Sequence, residues 1–263
     1  MNLQMVPART GMLWVRQGLN IFWRQPLAFS GLFFLFMAVV SLVSLVPVVG
    51  SVLALMLLPA LSTGMMAATR VALSGRFPMP GVLFIAFRPG PARPAMVQLG
   101  GLYAVGFLLM MGLSALIDGG QFAATYLGQT PITPERVNGD AFQLALWFSM
   151  LLYAPFSMLF WHSPALVQWQ AVPPVKSLFF SWMACWRNLG AFLVYVSLWA
   201  LMFAGAGALA LTASLLLGDP SWMVTLLMPL ALLVAAMFFA SMLYTVEGSF
   251  SLPTPMHEEP PAA

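Results

Sequence analysis

Apolar positions along this chain come in long unbroken runs. They follow neither the two-residue alternation of a half-buried strand nor the single stripe of a soluble helix. Residues 27–69 contain no charged side chain at all, and 47–51 (Pro-Val-Val-Gly-Ser) is the natural place for a turn within them. A membrane-crossing helix needs about 20 mostly apolar residues. The pattern therefore predicts spans near 27–46, 50–69, 95–117, 141–161, 189–211 and 222–243. Backbone polar groups in hydrocarbon must be paired within a helix or within a closed barrel. Barrel strands alternate over about ten residues, whereas these runs are apolar on every side. The expected fold is all-α, a polytopic transmembrane bundle of six spans. Pro59, Pro155 and Pro229 fall inside spans, where each removes a backbone donor.

The segments between the runs have a pattern of their own. "WRQPLAF" at 23–29 precedes the first span, and a near copy, "WRNLGAF" at 186–192, precedes the fifth. As a helix, 12–24 gathers Arg16, Gln17, Asn20 and Arg24 on an arc of about 100°, opposite Met12, Trp14, Val15, Leu19, Ile21, Phe22 and Trp23. Thr10 is placed to cap it. A basic arc beside a broad aromatic face describes a helix lying in the membrane interface. "PVKSLFFSWMACWRN" at 174–188 reads the same way, with Phe179, Trp182, Met183 and Trp186 on the apolar face. "GVLFIAFRPGPARPA" at 81–95 offers Phe87-Arg88 before span three. Basic amphipathic interfacial helices are thus expected before spans 1, 3 and 5, giving a helix-plus-hairpin unit repeated three times. The echo is open to internal duplication and to convergent anchoring alike. The expected lipid-interface residues are Arg16, Trp23, Arg24, Arg88, Trp186 and Arg187.

Composition agrees with this class. The 263 residues are 61% hydrophobic and 6% charged, against about 25% charged for a soluble domain. The net charge of +3 matters less than its placement. Nine of the ten basic residues flank spans on one side: Arg9, Arg16, Arg24, Arg70, Arg76, Arg88, Arg93, Lys176 and Arg187. The tenth, Arg136, shares a loop with Asp118, Glu135 and Asp140. Basic residues mark the cytoplasmic side, so both termini are expected there. One transmembrane domain, 1–247, is expected to be followed by a disordered cytoplasmic tail, 248–263, rich in proline and polar residues. The first run is about twenty residues without a small-residue cleavage site, and reads as a retained span rather than a signal peptide. With one cysteine, Cys185, no intramolecular disulfide can form.

The stretch "SPALVQWQAVPPVKSLFFSWMACWRNLGAFLV" at 163–194 resembles an uncharacterised family of bacterial six-pass inner-membrane proteins. Pro164, Ser181, Trp186, Arg187 and Asn188 match its pattern, and "VPARTGMLWVRQGLNIFWRQPLAFSGLFFLF" at 6–36 is also similar to it. That family more distantly resembles the membrane domain attached to some glycerophosphoryl diester phosphodiesterases. The resemblance implies a six-span fold and the bacterial inner membrane. It implies no catalytic residue, and without the soluble phosphodiesterase domain that activity is not expected to carry over.

No constellation for chemistry stands out. Ionisable residues within spans usually mark transport or proton relay, and the predicted spans hold none at mid-depth. His162, in "FWHSP", reads as an interfacial residue bonding a carbonyl freed by Pro164. His162, His257 and Cys185 are scattered, so no metal or cofactor is expected. The methionine pairs 65–66 and 110–111 serve as apolar filler. Serines in span one suit interhelical hydrogen bonds. The arginines alternate with interfacial aromatics, which argues against nucleic acid. The expected role is non-enzymatic, through lipid contacts (anionic headgroups) or protein contacts, with a homo-oligomer or another membrane protein as partner. The alternative is a transporter, channel or flippase for a small or lipidic solute.

Overall fold

The computed structural model describes residues 2–251. These form a short strand β1 (Asn2–Leu3), then α1 (Thr10–Arg24), α2 (Pro26–Ser44) and α3 (Gly50–Leu73). A 3-10 helix (Pro80–Phe87) leads into α4 (Ala92–Asp118). Two small helices, α5 (Gln121–Tyr126) and α6 (Pro134–Val137), precede α7 (Asp140–Phe160) and α8 (Ser163–Gln170). The chain closes with α9 (Pro174–Arg187), α10 (Leu189–Leu217), α11 (Ser221–Ser249) and β2 (Phe250–Ser251). Six segments are long and apolar enough to cross a membrane, and they coincide with the six predicted runs. The fold is all-α and polytopic.

The differences lie at the edges. α3 runs to Leu73 and α11 to Ser249, so Arg70 and Glu247 belong to helices rather than to loops. A hydropathy window ends at the first charge, but a helix does not. The start of the expected tail is ordered: Gly248 and Ser249 close α11, and Phe250–Ser251 pair antiparallel with Asn2–Leu3. The remainder of that tail, 252–263, lies outside the described residues. Thr10 does not cap α1. Arg9 occupies the cap position without a side-chain bond, and the first amides reach the Pro7 and Ala8 carbonyls instead. The segment before span three is a 3-10 helix interrupted at Phe84, not an α-helix. Pro59, Pro155 and Pro229 do sit inside α3, α7 and α11.

Contacts divide the described residues into two compact units that do not follow the expected hairpin repeat. The first comprises 2–30, 68–78 and 183–251. In it α1 packs on α10 and α11, which pack on each other. Glycines permit the approach. A Cβ on Gly11 would strike the Ala191 carbonyl, and one on Gly18 would strike Ser241. Trp14, Ile21, Phe22, Tyr195, Trp199, Ala240 and Leu243 fill this core. Tyr195 donates to Ser241 Oγ, which in turn donates to the Phe238 carbonyl.

The second unit comprises 31–67 and 79–182. Here α4 packs on α7 and α8. One apolar cluster joins Phe107, Met110, Met111, Phe122, Phe142 and Ala145. Another joins Ala60, Ala86, Met96, Leu99 and Val167. Gly64 and Gly100 allow backbone contact with Leu83 and Met56. The helix of the fourth run, α7, ends at Phe160, and after residues 161–162 the chain continues in α8, which lies buried from Ser163 to Val167.

Candidate functional site

The first and fifth spans are each entered through a helix whose last residues are Trp-Arg. In α9 the inward positions are Pro174, Ser177, Ser181, Ala184, Cys185 and Asn188, spaced three or four apart. Small and polar side chains therefore face the protein. The aromatic face turns outward, with Phe179 59% and Trp186 58% exposed. Val175 and Lys176 lie on the outward side too. Burial pushes the Cys185 thiol well above its usual range.

The first helix divides its apolar residues differently. Gly11, Trp14, Val15, Gly18, Ile21 and Phe22 are buried. Trp14 is packed against Phe192 and Tyr195, so it belongs to the core and not to the expected interfacial face. Met12, Leu13 and Trp23 remain outward, beside Arg16, Gln17, Asn20 and Arg24. Trp23 is 63% exposed. All four expected interfacial arginines, Arg16, Arg24, Arg88 and Arg187, are exposed.

The residue after each Trp-Arg pair is an amide, and in both places it ties a distant stretch of backbone. Asn188 is buried. Its Oδ1 accepts from the Val6 amide at 2.8 Å, and its Nδ2 donates to the Gln4 carbonyl at 2.9 Å and to Ala184 at 3.0 Å. Gln25 Nε2 donates to the Arg76 carbonyl at 3.1 Å. The N-terminal segment is further held by the Gln4 amide on the Ser249 carbonyl at 2.9 Å and by Arg187 on Met5 Sδ. Sequence alone shows an amide after each pair, but not which backbone it reaches.

Within the same unit, Arg70 Nε lies 3.8 Å from Glu247 Oε1. Each is in or near the last turn of its helix, α3 and α11. Glu247 was not singled out by the sequence. Its signal was a single carboxylate at the end of the last apolar run.

The remaining candidates have structural partners. Asp118 is buried and caps α5, accepting from the amides of Gly120 at 2.9 Å and Phe122 at 2.6 Å. Asp219 accepts from the Ser221 amide at 2.8 Å, which holds its carboxyl below the usual range. His162 is fully buried, and its backbone amide donates to Ser181 Oγ at 2.9 Å. Among the described residues, no group of three His, Cys, Asp or Glu side chains could hold a metal ion.

These features define a multi-pass α-helical integral membrane protein. A probable inner membrane protein of Burkholderia thailandensis is 40% identical over 261 residues, covering 97% of this chain and 96% of that relative. The chain belongs to the family of that inner membrane protein. No family model matches it, so the likeness to the phosphodiesterase membrane domain gains no support. No solved structure matches it either.

Proposed function

We propose that this protein acts without catalysis in the bacterial inner membrane, with both termini cytoplasmic, by holding anionic lipid headgroups against a basic and aromatic belt. The observation that carries this reading is the orientation of α9. Its small-residue face is buried, while Phe179 and Trp186 point away from the protein beside exposed Lys176 and Arg187. A helix that only packed would bury its largest apolar side chains. Trp23 and Arg24 repeat the arrangement at the end of α1. Each basic residue near an anionic leaflet contributes about 1 kcal/mol. The test is lipid analysis of the purified protein. Replacing Arg16, Arg24, Arg88 and Arg187 together by Gln should lower co-purified anionic lipid. Unchanged retention, with the variant still folded, would refute the reading.

A second reading, a transporter, channel or flippase for a small or lipidic solute, is favoured by the interruption at 161–162. Broken helices inside a membrane protein are tolerated where protein or a cavity surrounds them, and transporters place binding sites at such breaks. Proteoliposomes should then show solute or lipid movement that stops when Ser181 is replaced by Val. Absence of flux for ions, small solutes and labelled lipids would remove this reading.

A further inference from the structure

In the second unit, α4 ends on a carboxylate that the next helix uses. Asp118 is the last residue of α4, and its two oxygens accept from the amides of Gly120 at 2.9 Å and Phe122 at 2.6 Å. The chain reverses between them through Gly119 and Gly120, at φ 67° and 88°. Only glycine enters that region without a steric penalty. α5 then runs back against both α4 and α7. Phe122 meets Phe142 of α7 with ring centroids 5.6 Å apart, and Tyr126 meets Phe107 of α4 at 5.9 Å. Phe107 lies about 16 Å down α4 from Asp118, at a rise of about 1.5 Å per residue. So α5 covers the seam between the two spans instead of continuing beyond it. A third glycine, Gly128 at φ 72°, follows its last turn.

Two features set α5 apart from a fixed part of that seam. First, α4 and α7 hold together without it. Phe107 and Tyr103 pack on Phe156, and Tyr103 packs on Phe160 as well. Second, α5 is lightly held. Phe122 is its one buried residue, and Tyr126 is 61% exposed. A Cβ built at Gly119 or at Gly128 would meet nothing within 4 Å, so the backbone has room to turn at both ends. Segments with few buried apolar side chains open locally at low cost while the core stays closed. The side chains that share a cluster with Phe122 are buried and apolar: Phe107, Met110, Met111, Phe142 and Ala145.

We propose that α5 is a lid over an apolar cleft between α4 and α7, hinged at Gly119-Gly120 and at Gly128 and latched by Asp118. In the closed state Phe122 and Tyr126 fill the cleft. In the open state Met110 and Met111 are uncovered, while the two spans stay packed through Tyr103, Phe107, Phe156 and Phe160. Asp118 sets the balance, because one carboxylate holds the amides of Gly120 and Phe122 together. None of these residues belongs to the basic and aromatic belt, so the lid stands or falls apart from the lipid-contact reading.

The experiment uses the full chain in detergent. Hydrogen exchange is followed on peptides covering 119–130, with peptides from 99–117 and 142–156 as the frame. A brief exposure to hydrogen peroxide then reads the cleft, since a thioether that peroxide reaches becomes the sulfoxide with release of water. In the parent protein, 119–130 should exchange as one unit and ahead of the frame, with Met110 and Met111 still reduced. A hydrogen bond to a charged acceptor is worth roughly tenfold or more in an equilibrium. Asp118→Asn, which keeps one acceptor oxygen, should speed exchange of 119–130 about tenfold, and Asp118→Ala, which keeps none, about a hundredfold. Met110 and Met111 should then oxidise, while Met65 and Met66, fully buried in the same unit, stay reduced. Exposed Met79 shows that the peroxide acted in every sample. Tyr126→Ala should uncover Met110 and Met111 with the latch intact. Unchanged exchange of 119–130 in Asp118→Ala overturns the latch. Equal acceleration of the frame, or oxidation of Met65 and Met66, makes α5 a fixed part of the core and overturns the lid. Faster exchange with Met110 and Met111 still reduced leaves a loose loop with no cleft beneath it, which overturns the proposal too.

Discussion

Asn188 is where the N-terminal strap can be tested most directly. Its amide makes two bonds to that segment, with the Val6 amide and the Gln4 carbonyl, besides the one to Ala184 in the last turn of α9. A net hydrogen bond is worth about 1 kcal/mol. Asn188→Ala should therefore cost about 2 kcal/mol of strap docking, and at about 1.4 kcal/mol per decade the opening equilibrium should rise roughly thirtyfold. The assay is hydrogen exchange by mass spectrometry on the protein in detergent, following peptides that cover residues 2–10. The Gln4 amide, bonded to Ser249, and the Val6 amide should both exchange faster. The middle of α10 around Tyr195 serves as the internal control, since that side chain is packed against Ser241 and Phe238. Unchanged protection of 2–10 in Asn188→Ala would refute the strap. Faster exchange across α10 as well would show general destabilisation and refute the local argument.

Other outcomes follow from the same geometry. Gly18→Leu should undock α1 from α11, because its Cβ would meet the Ser241 backbone as well as its side chain; a loss of about 3 kcal/mol is expected, seen as a lower melting temperature, and a normal melt would exclude the close contact. Cys185 should resist a maleimide dye at pH 7.5 in the folded protein and react on heating, since its buried thiol stays protonated well above neutrality and only the thiolate attacks; rapid labelling before unfolding would contradict its burial. A fluorescent protein fused to the C-terminus should fluoresce in cells, and alkaline phosphatase inserted at Gly139 should be active; the reverse pattern would overturn the proposed orientation.

The six spans were legible because hydrocarbon permits little else: a run of about 20 apolar residues has to be a helix. Their ends were less legible. Arg70 and Glu247 stop a hydropathy window, yet the helices carry both past it, and each is the other's partner. In α9 the wheel and the structure place Trp186 and Arg187 alike, on the outward side. The belt was misread in part of α1, where Trp14 is buried. A helical wheel shows which residues share a face, but not whether protein or lipid covers it. The signal that could have separated the two helices was glycine. Gly11 and Gly18 share a face with Trp14, and mark where another helix comes close.

The division into units was not legible at all, for a related reason. The repeated Trp-Arg stretches suggest three consecutive hairpins, but contacts join the first 30 residues to the last two long helices. The residue after each pair explains how the motif serves that arrangement. Asn188 receives the strap from the beginning of the chain, and β1 then pairs with β2 at the far end of the sequence. Gln25 draws in the segment after α3. Each Trp-Arg-amide triplet thus has two jobs on opposite sides of the backbone. The tryptophan and arginine face outward, and the amide binds a sequence-distant strand of main chain. Spacing along the chain reveals the first of these features, because Trp-Arg recurs just before two of the spans. It conceals the second, because an amide can bond any backbone group the fold delivers to it.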